Sequence, residues 1–433
     1  MHVRNTIKLG ALAVAVLGCA QPAFADQAET KGGIKVKTDD GRFEANVGGR
    51  IHFDVNVFKE DEDSFGALAS GSKLTPVNSS AYLRRVYLTL KGKLYGWNYK
   101  IEPDLANNTQ TGATTIAFQD ITLSTDVAGG ELIFGQFKPY RSMEDLTSSN
   151  DILIIERPST SSNGVFSGRE FQQGVAYKYP IMEGMLAEAS LFSMRGSTTA
   201  ANEGVGYNAR FAWAPMMDDG AVVHVGLNYS YENPQDASAA APGTATNITE
   251  SMSYAGRRGP SLNLGATSGS EPAKSLGLEF ATVFGPFFLQ AEYVDSKLSL
   301  QQPTAAPNPD VKAMYAQVAF ELTGEHKPYK PADGVFGNVK PLGAAGAFEL
   351  VARIDTAKND DLPAGGCTVA TTPVSAALTG SDACKATSLT AGLNWYPNPN
   401  VRFMFNWIKG KADAGAAGKD EPTAYVARAQ VSF

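Results

Sequence analysis

The fold class this sequence predicts is all-β: a 16-stranded antiparallel transmembrane β-barrel with an inward-folded constriction loop. Three observations lead there. Phe43, Ala45, Val47, Gly49, Ile51, Phe53, Val55 and Val57 alternate with Glu44, Asn46, Gly48, Arg50, His52, Asp54 and Asn56 over a length beyond an ordinary globular strand. Beyond residue 25 no run of 18 apolar residues occurs, so a spanning chain is left with a closed barrel. Comparable alternating segments recur, and the links between them are short and long by turns.

The elements follow in chain order. Arg4 and Lys8, the apolar run Leu9 to Cys19 and Ala23-Phe24-Ala25 read as a cleaved signal peptide over 1–25, which leaves 26–433 as a single barrel domain. A lipobox at Val16-Leu17-Gly18-Cys19 is the weaker alternative, because Leu17 is an unusual residue before the glycine. Strands are expected at about 43–58, 81–95, 97–105, 116–125, 131–138, 170–179, 185–194, 205–214, 221–232, 275–284, 287–300, 311–323, 347–357, 387–396, 401–410 and 423–433. Tight links such as Gly96, Gly285-Pro286 and Pro397 to Asn400 alternate with long polar ones, as in barrels with short periplasmic turns and long outer loops. The last strand places Tyr425, Ala427, Ala429, Val431 and Phe433 on one face, an ending that resembles the terminal signature of bacterial outer-membrane barrels.

Three connections exceed simple links. Residues 139–168 carry Asp151-Ile152-Leu153-Ile154-Ile155-Glu156-Arg157, an apolar cluster that would be unfavourable on an exposed loop and is expected to fold into the barrel as its constriction. Residues 233–274 form a second long loop, and 324–346 a third on the side where turns should be short. Composition agrees without deciding: 43% hydrophobic, 19% charged residues and Gly 43 would also suit soluble β-sandwiches. A formal charge of -7 argues against nucleic acid as a partner. The four histidines have no zinc-like spacing, so neither metal nor cofactor is expected. Cys19 leaves with the signal, and Cys367 with Cys384 is expected to staple one loop.

At Tyr82-Leu83-Arg84-Arg85-Val86-Tyr87 the chain resembles the phosphate-selective porin O and P family. The resemblance continues at Gly135-Gln136-Phe137-Lys138-Pro139, Leu146-Thr147-Ser148-Ser149, Glu156-Arg157-Pro158, Thr323-Gly324-Glu325-His326-Lys327-Pro328-Tyr329 and Gly392-Leu393-Asn394-Trp395-Tyr396-Pro397. It implies a homotrimeric passive channel in the outer membrane of a Gram-negative bacterium, in contact with outer membrane lipid. Its solutes would be small and hydrophilic, anions such as inorganic phosphate or polyphosphate. The eyelet positions it implies are Arg84, Arg85, Ser148, Ser149 and Arg157. Guanidinium forks match phosphate oxygens and serine adds neutral donors. Where relatives suggest lysines beside the serine pair, this chain has Glu144 and Asp145, which oppose a dianion.

Arg50, Lys91, Lys100, Arg210 and Arg353, with Arg402 and Arg428, fall on the lumen parity, as do Glu102, Asp104, Glu292, Glu321, Glu349 and Asp355. They form either a basic ladder or a mutually paired interior. Arg84 has the parity of Val86, Leu88 and Leu90, so either a bulge redirects it into the pore or it pairs at a subunit contact. Arg157 reads equally as a loop anchor, and Ser148 with Ser149 as the cap of a helix starting at Asn150. A general or carbohydrate-preferring porin is the alternative function. A barrel hydrolase using His52 or His224 is the remote one, with no motif tying either histidine to a nucleophile.

Overall fold

The computed structural model describes residues 27–29, 33–59, 79–106, 116–194, 204–234, 247–268, 271–301, 307–361, 368–371, 374–377, 383–413 and 418–433. The expected signal peptide and Cys367 lie outside the described residues. Cys384 is disulfide-bonded.

Sixteen antiparallel strands close on themselves. They are β1 Phe43–Lys59, β2 Ser80–Leu94, β3 Trp97–Asp104, β4 Ala117–Val127, β5 Gly130–Phe137, β6 Gln172–Met182, β7 Met185–Met194 and β8 Gly204–Asp218. β9 Ala221–Asn233, β10 Ala273–Phe284, β11 Phe287–Leu298, β12 Asp310–Glu321, β13 Ala347–Asn359, β14 Lys385–Asn398, β15 Val401–Asp413 and β16 Thr423–Ser432 complete the wall. Each strand was expected within a few residues of where it lies. Closure runs from Thr423 opposite Lys59 to Ser432 opposite Arg50. The last residue completes it: Phe433 and Gly49 exchange backbone hydrogen bonds of 2.8 and 3.0 Å. A Cβ at Gly49 would stand 2.5 Å from the Tyr87 carbonyl oxygen, so this close approach needs glycine.

The wall faces two solvents. Ile51, Phe53, Val55, Val57, Leu276, Leu278, Phe280, Phe403 and Phe405 are exposed on the outside, whereas His52, Asp54, Asn394, Arg402 and Arg428 are buried within. Successive strand residues point to opposite faces, which is what the alternation required. Phe287 with Phe320, and Phe348, Trp395 and Phe403 in a stack, form an aromatic girdle near the short turns. Tyr207 stacked on Tyr231 marks the opposite border.

One bulge changes a side chain's face. His52 lies opposite Arg85 but Phe53 lies opposite Leu83, leaving Arg84 as the extra residue. Arg84, Arg85 and Tyr82 are consequently all buried inside.

The segment between β5 and β6 makes the barrel's inner core. Its only helical turn is α1, Met143–Leu146, whose N-cap Ser142 accepts from the Asp145 amide. The alternative helix at Asn150 does not form; that residue lies in a turn. Ile152, Leu153, Ile154 and Ile155 are each 1–2% exposed. Leu153 and Ile154 pack with Val222, Ala281, Val283, Phe288, Ala319 and Val351, and Ile155 with Met404, Ile408, Ala424 and Val426. At roughly 1.5–3 kcal/mol per buried aliphatic side chain, these four contribute on the order of 6–12 kcal/mol to seating the segment. Wall polar groups take its backbone: Asn406 accepts from the Ile155 amide (2.9 Å), Arg353 donates to the Glu156 carbonyl (2.8 Å) and Asn394 to the Leu153 carbonyl (3.0 Å). Both feet meet at Glu232 on β9, which pairs with Arg141 and, at 2.9 Å, with Arg169.

The connection 322–346 also reaches these residues. Its hairpin, Tyr329–Lys330 against Val335–Phe336, packs with Met143, Leu153 and Ile154. Asn338 donates to the Asn150 carbonyl at 2.5 Å, and Lys330 pairs with Asp151 at 2.5 Å. The long outer connection contributes another hairpin, Thr249–Ser253 with Ser261–Ala266, whose Met252, Leu262 and Leu264 share a cluster with Val294 and Val311 of the wall.

Candidate functional site

The β2 bulge and the loop between β5 and β6 together build the interior chemistry. A cavity of 710 Å³ is lined by Arg84, Arg85 and Tyr87 from β2, by Gln119 and Gln136 from the neighbouring wall, and by Glu170, Arg257 and Arg258. A second, of 320 Å³, opens at the short-turn end and is lined by Arg50, Lys91, Lys100, Thr89 and Asn150, with Phe433 at its edge. Arg50 and Tyr87 are opposite in register, with the guanidinium carbon 4.9 Å from the ring centre, so this pair stands between the two cavities.

The expected eyelet residues take different roles. Ser148 and Ser149 are adjacent hydroxyls that accept from Arg50 Nη1 at 3.2 and 2.9 Å, and Arg50 Nη2 reaches Glu102 at 3.3 Å. Arg85 donates through Nε to the Tyr87 hydroxyl (3.1 Å), while its Nη1 is buried without an acceptor among the described residues. Arg84 is held by a resident carboxylate: Nε and Nη2 meet Glu156 at 2.6 and 3.1 Å. Burial opposes ionisation of Glu156, yet Arg84 and then Arg428 hold its carboxyl well below the usual range. Arg157 is enclosed as an anchor. It donates to the carbonyls of Glu144 (3.1 Å) and Thr147 (2.7 Å) and lies 3.6 Å from both Asp145 and Glu170.

The remaining lumen cations divide in the same way. Arg50, Lys91 and Lys100 face the smaller cavity, Lys100 pairing with Asp120 at 2.5 Å. Arg210 is enclosed between Glu188 (2.7 Å) and Glu279 (2.8 Å), and donates to the Gly334 carbonyl. Arg353 borders a 30 Å³ void beside Glu156. Arg402 and Arg428 pair with Glu349 and Asp54. The interior is therefore a paired lattice over most of its wall, with a basic stripe along β1 to β3.

Glu144 and Asp145 turn away from that stripe, and neither lines the two larger cavities. Glu144 accepts from Gln290 (2.7 Å) and Gln317 (3.3 Å), and burial pushes its carboxyl up. Asp145 accepts from the Ser162 amide and hydroxyl at 3.0 and 2.7 Å. A lysine does reach this turn from elsewhere in the chain: Lys138 donates to the Asp145 carbonyl (2.7 Å) and pairs with Glu170 (2.7 Å).

Sequence reasoning missed Arg257 and Arg258. Arg258 lies over Tyr82 at 4.3 Å, and Arg84 is the main cause lowering the affinity of Arg257 for its proton. The available signal was that 84–85 and 257–258 are the chain's two Arg-Arg pairs.

The profile of the phosphate-selective porin O and P family matches residues 46–433. The chain belongs to this family. It is 32% identical to Porin O of Pseudomonas aeruginosa, over 98% of this chain and 97% of that one. Two solved structures share the barrel at lower identity. The outer membrane channel DcaP of Acinetobacter baumannii has a TM-score of 0.55 at 13% identity, covering 92% of this chain and 99% of that one. The anion-selective porin from Comamonas acidovorans has 0.54 at 13%, covering 90% and 100%. The protein is thus a porin, an outer-membrane channel of a Gram-negative cell.

Proposed function

We propose that this porin passes small hydrophilic anions, phosphate among them, through the two cation-lined cavities, with residues 139–168 as the constriction between them. The observation that carries the reading is Arg85: it lines the larger cavity, and its buried Nη1 has no acceptor among the described residues. An anion there meets a guanidinium fork in a poorly hydrated site, where charge-assisted hydrogen bonds are strongest. Arg50, then Lys91 and Lys100, continue the stripe towards the periplasm, so no single site need hold the ion tightly. The family's description as phosphate-selective and the name of the Comamonas porin support the sign of the charge. A trimer is the working unit we infer, supported by OmpT of Vibrio cholerae, whose trimer form shares the fold with a TM-score of 0.53.

Conduction of this kind needs no catalysis. His52 meets Asn150 (3.0 Å), and His224 meets Tyr329 and Glu279, so neither is hydrogen-bonded to a serine or cysteine among the described residues.

The test is the zero-current potential of the purified porin in a planar bilayer under a salt gradient, with phosphate then added as a blocker. Anion preference with phosphate block, both reduced in Arg85→Gln, is the expected result. Cation preference, or a variant indistinguishable from the parent, overturns it.

A further inference from the structure

We propose that the outer surface over β10 to β14 is a docking site for a phosphorylated, multiply acylated lipid of the outer leaflet. The reading goes beyond ion selectivity and uses no residue of the channel interior.

The observation is a row of lysines on the lipid-facing parity. Lys274 lies opposite Lys297, Lys312 opposite Lys358, and Lys358 opposite Lys385, so five consecutive strands carry five ammonium groups near one level, with a two-residue step between Lys297 and Lys312. These are the strand ends away from the short turns, the border with the outer leaflet. At the same level on the preceding strands the register places Tyr231, Tyr207 and Leu191 instead. The row therefore ends before β9, whereas beyond β14 the outer face of β15 carries Lys411 and Lys409, which pair with Glu421 at 3.1 and 4.0 Å.

Aspartates are interspersed along the row: Asp310 stands opposite Lys297, Asp295 opposite Lys312 and Asp413 opposite Lys385. Lys312 pairs with Asp360 at 2.6 Å and Asp310 at 3.6 Å, and Lys358 with Asp360 at 2.6 Å. Among the described residues Lys274, Lys297 and Lys385 form no ion pair, although all three are exposed. Directly below lies an apolar groove of 380 Å³, with Leu278, Tyr293, Met314 and Ile354 as walls and Ala291 and Ala316 as floor. Lys297 is four residues from Tyr293 along β11, and Lys312 two from Met314 along β12, so the groove begins about 7 to 13 Å below the ammonium row. That offset matches a lipid whose phosphates sit at the headgroup level while its chains run down the wall. Charge complementarity above and a small-residue floor below select such a lipid over a neutral one.

The experiment uses the full-length porin in detergent. Hexa-acylated, bis-phosphorylated lipid A, the same lipid stripped of phosphate, and phosphatidylethanolamine are each titrated, and bound lipid is counted by native mass spectrometry. Bis-phosphorylated lipid A should bind most tightly. Lys274→Gln/Lys297→Gln/Lys385→Gln should weaken it by about 100-fold, at about fivefold per lysine, and leave the stripped lipid unaffected. Ala316→Phe, which fills the groove, should weaken both lipid A forms. Conductance and ion selectivity of each variant should match the parent, which verifies the fold. Equal retention by parent and triple variant overturns the proposal. So does a triple variant that keeps its lipid but loses its oligomeric state, which would make this face a contact between copies.

Discussion

Replacing Glu156 with glutamine should make the channel more strongly anion-selective. Glu156 lies behind Arg84, which faces the 710 Å³ cavity, and it also receives Arg428 (3.3 Å) and Asn163 (3.2 Å). Glutamine keeps one acceptor for Arg84, and Arg428 retains Asp54 at 2.6 and 2.8 Å, so the segment should stay seated. What changes is one negative charge beside the ion path. Two unit charges about 8 Å apart at an effective dielectric near 20 interact by ~2 kcal/mol. A monoanion in the cavity should then bind about 30-fold more tightly, and a phosphate dianion more so. In a planar bilayer this predicts a larger anion-to-cation permeability ratio and phosphate block at a lower concentration. It also predicts reduced phosphate current, because a deeper well prolongs occupancy. An unchanged ratio would refute the view that Glu156 masks Arg84. A raised conductance in all salts would mean that the segment had moved instead.

Further outcomes follow from the same geometry. Excising Arg84 removes the extra residue of the bulge and leaves Leu83 outside and Arg85 inside; the porin should still fold, as judged by heat-modifiable migration, with weaker anion preference. Shortening Asp151 to Asn163 should raise single-channel conductance several-fold and lower thermal stability, since it removes the four buried aliphatic side chains. Glu144 has a raised proton affinity, so its contribution is complete below the ordinary glutamate range and is lost as pH rises through its folded value. Glu144→Gln, which keeps an acceptor for Gln290, should therefore unfold at a higher temperature than the parent at alkaline pH. The two should converge in acid, and a gap independent of pH would refute this account. Glu156 has the opposite sign, its stabilisation lasting until pH falls through a value well below the ordinary range, so the Arg84 pair should survive mild acid.

Much of the fold was legible in the sequence because a barrel wall repeats one local rule. Polar and apolar residues alternate wherever water and lipid lie on opposite faces, as at Phe43 to Val57, and no distant contact is needed to read that. The bulge at Arg84 was legible as a conflict, since an arginine on the apolar parity had to be explained. Ala281, Val283, Phe288 and Val351 are the converse: they are apolar on the inner face because Leu153, Ile154, Val335 and Phe336 pack there, which local alternation cannot disclose.

By itself, the sequence determined the strand number, the closed wall, the family and the three connections too long to be links, because each rests on periodicity or on contiguous residues. Only the tertiary structure decided which cations already have acceptors. Arg84 and Arg157 have the same chemistry as Arg85, yet Glu156, remote in sequence, already holds Arg84, and carbonyls of its own loop hold Arg157. Glu144 and Asp145 stand beside the serine pair in sequence but point to Gln290 and Ser162. A side chain's availability to a solute depends on which remote groups have already satisfied it, and that is a property of packing, not of neighbours along the chain.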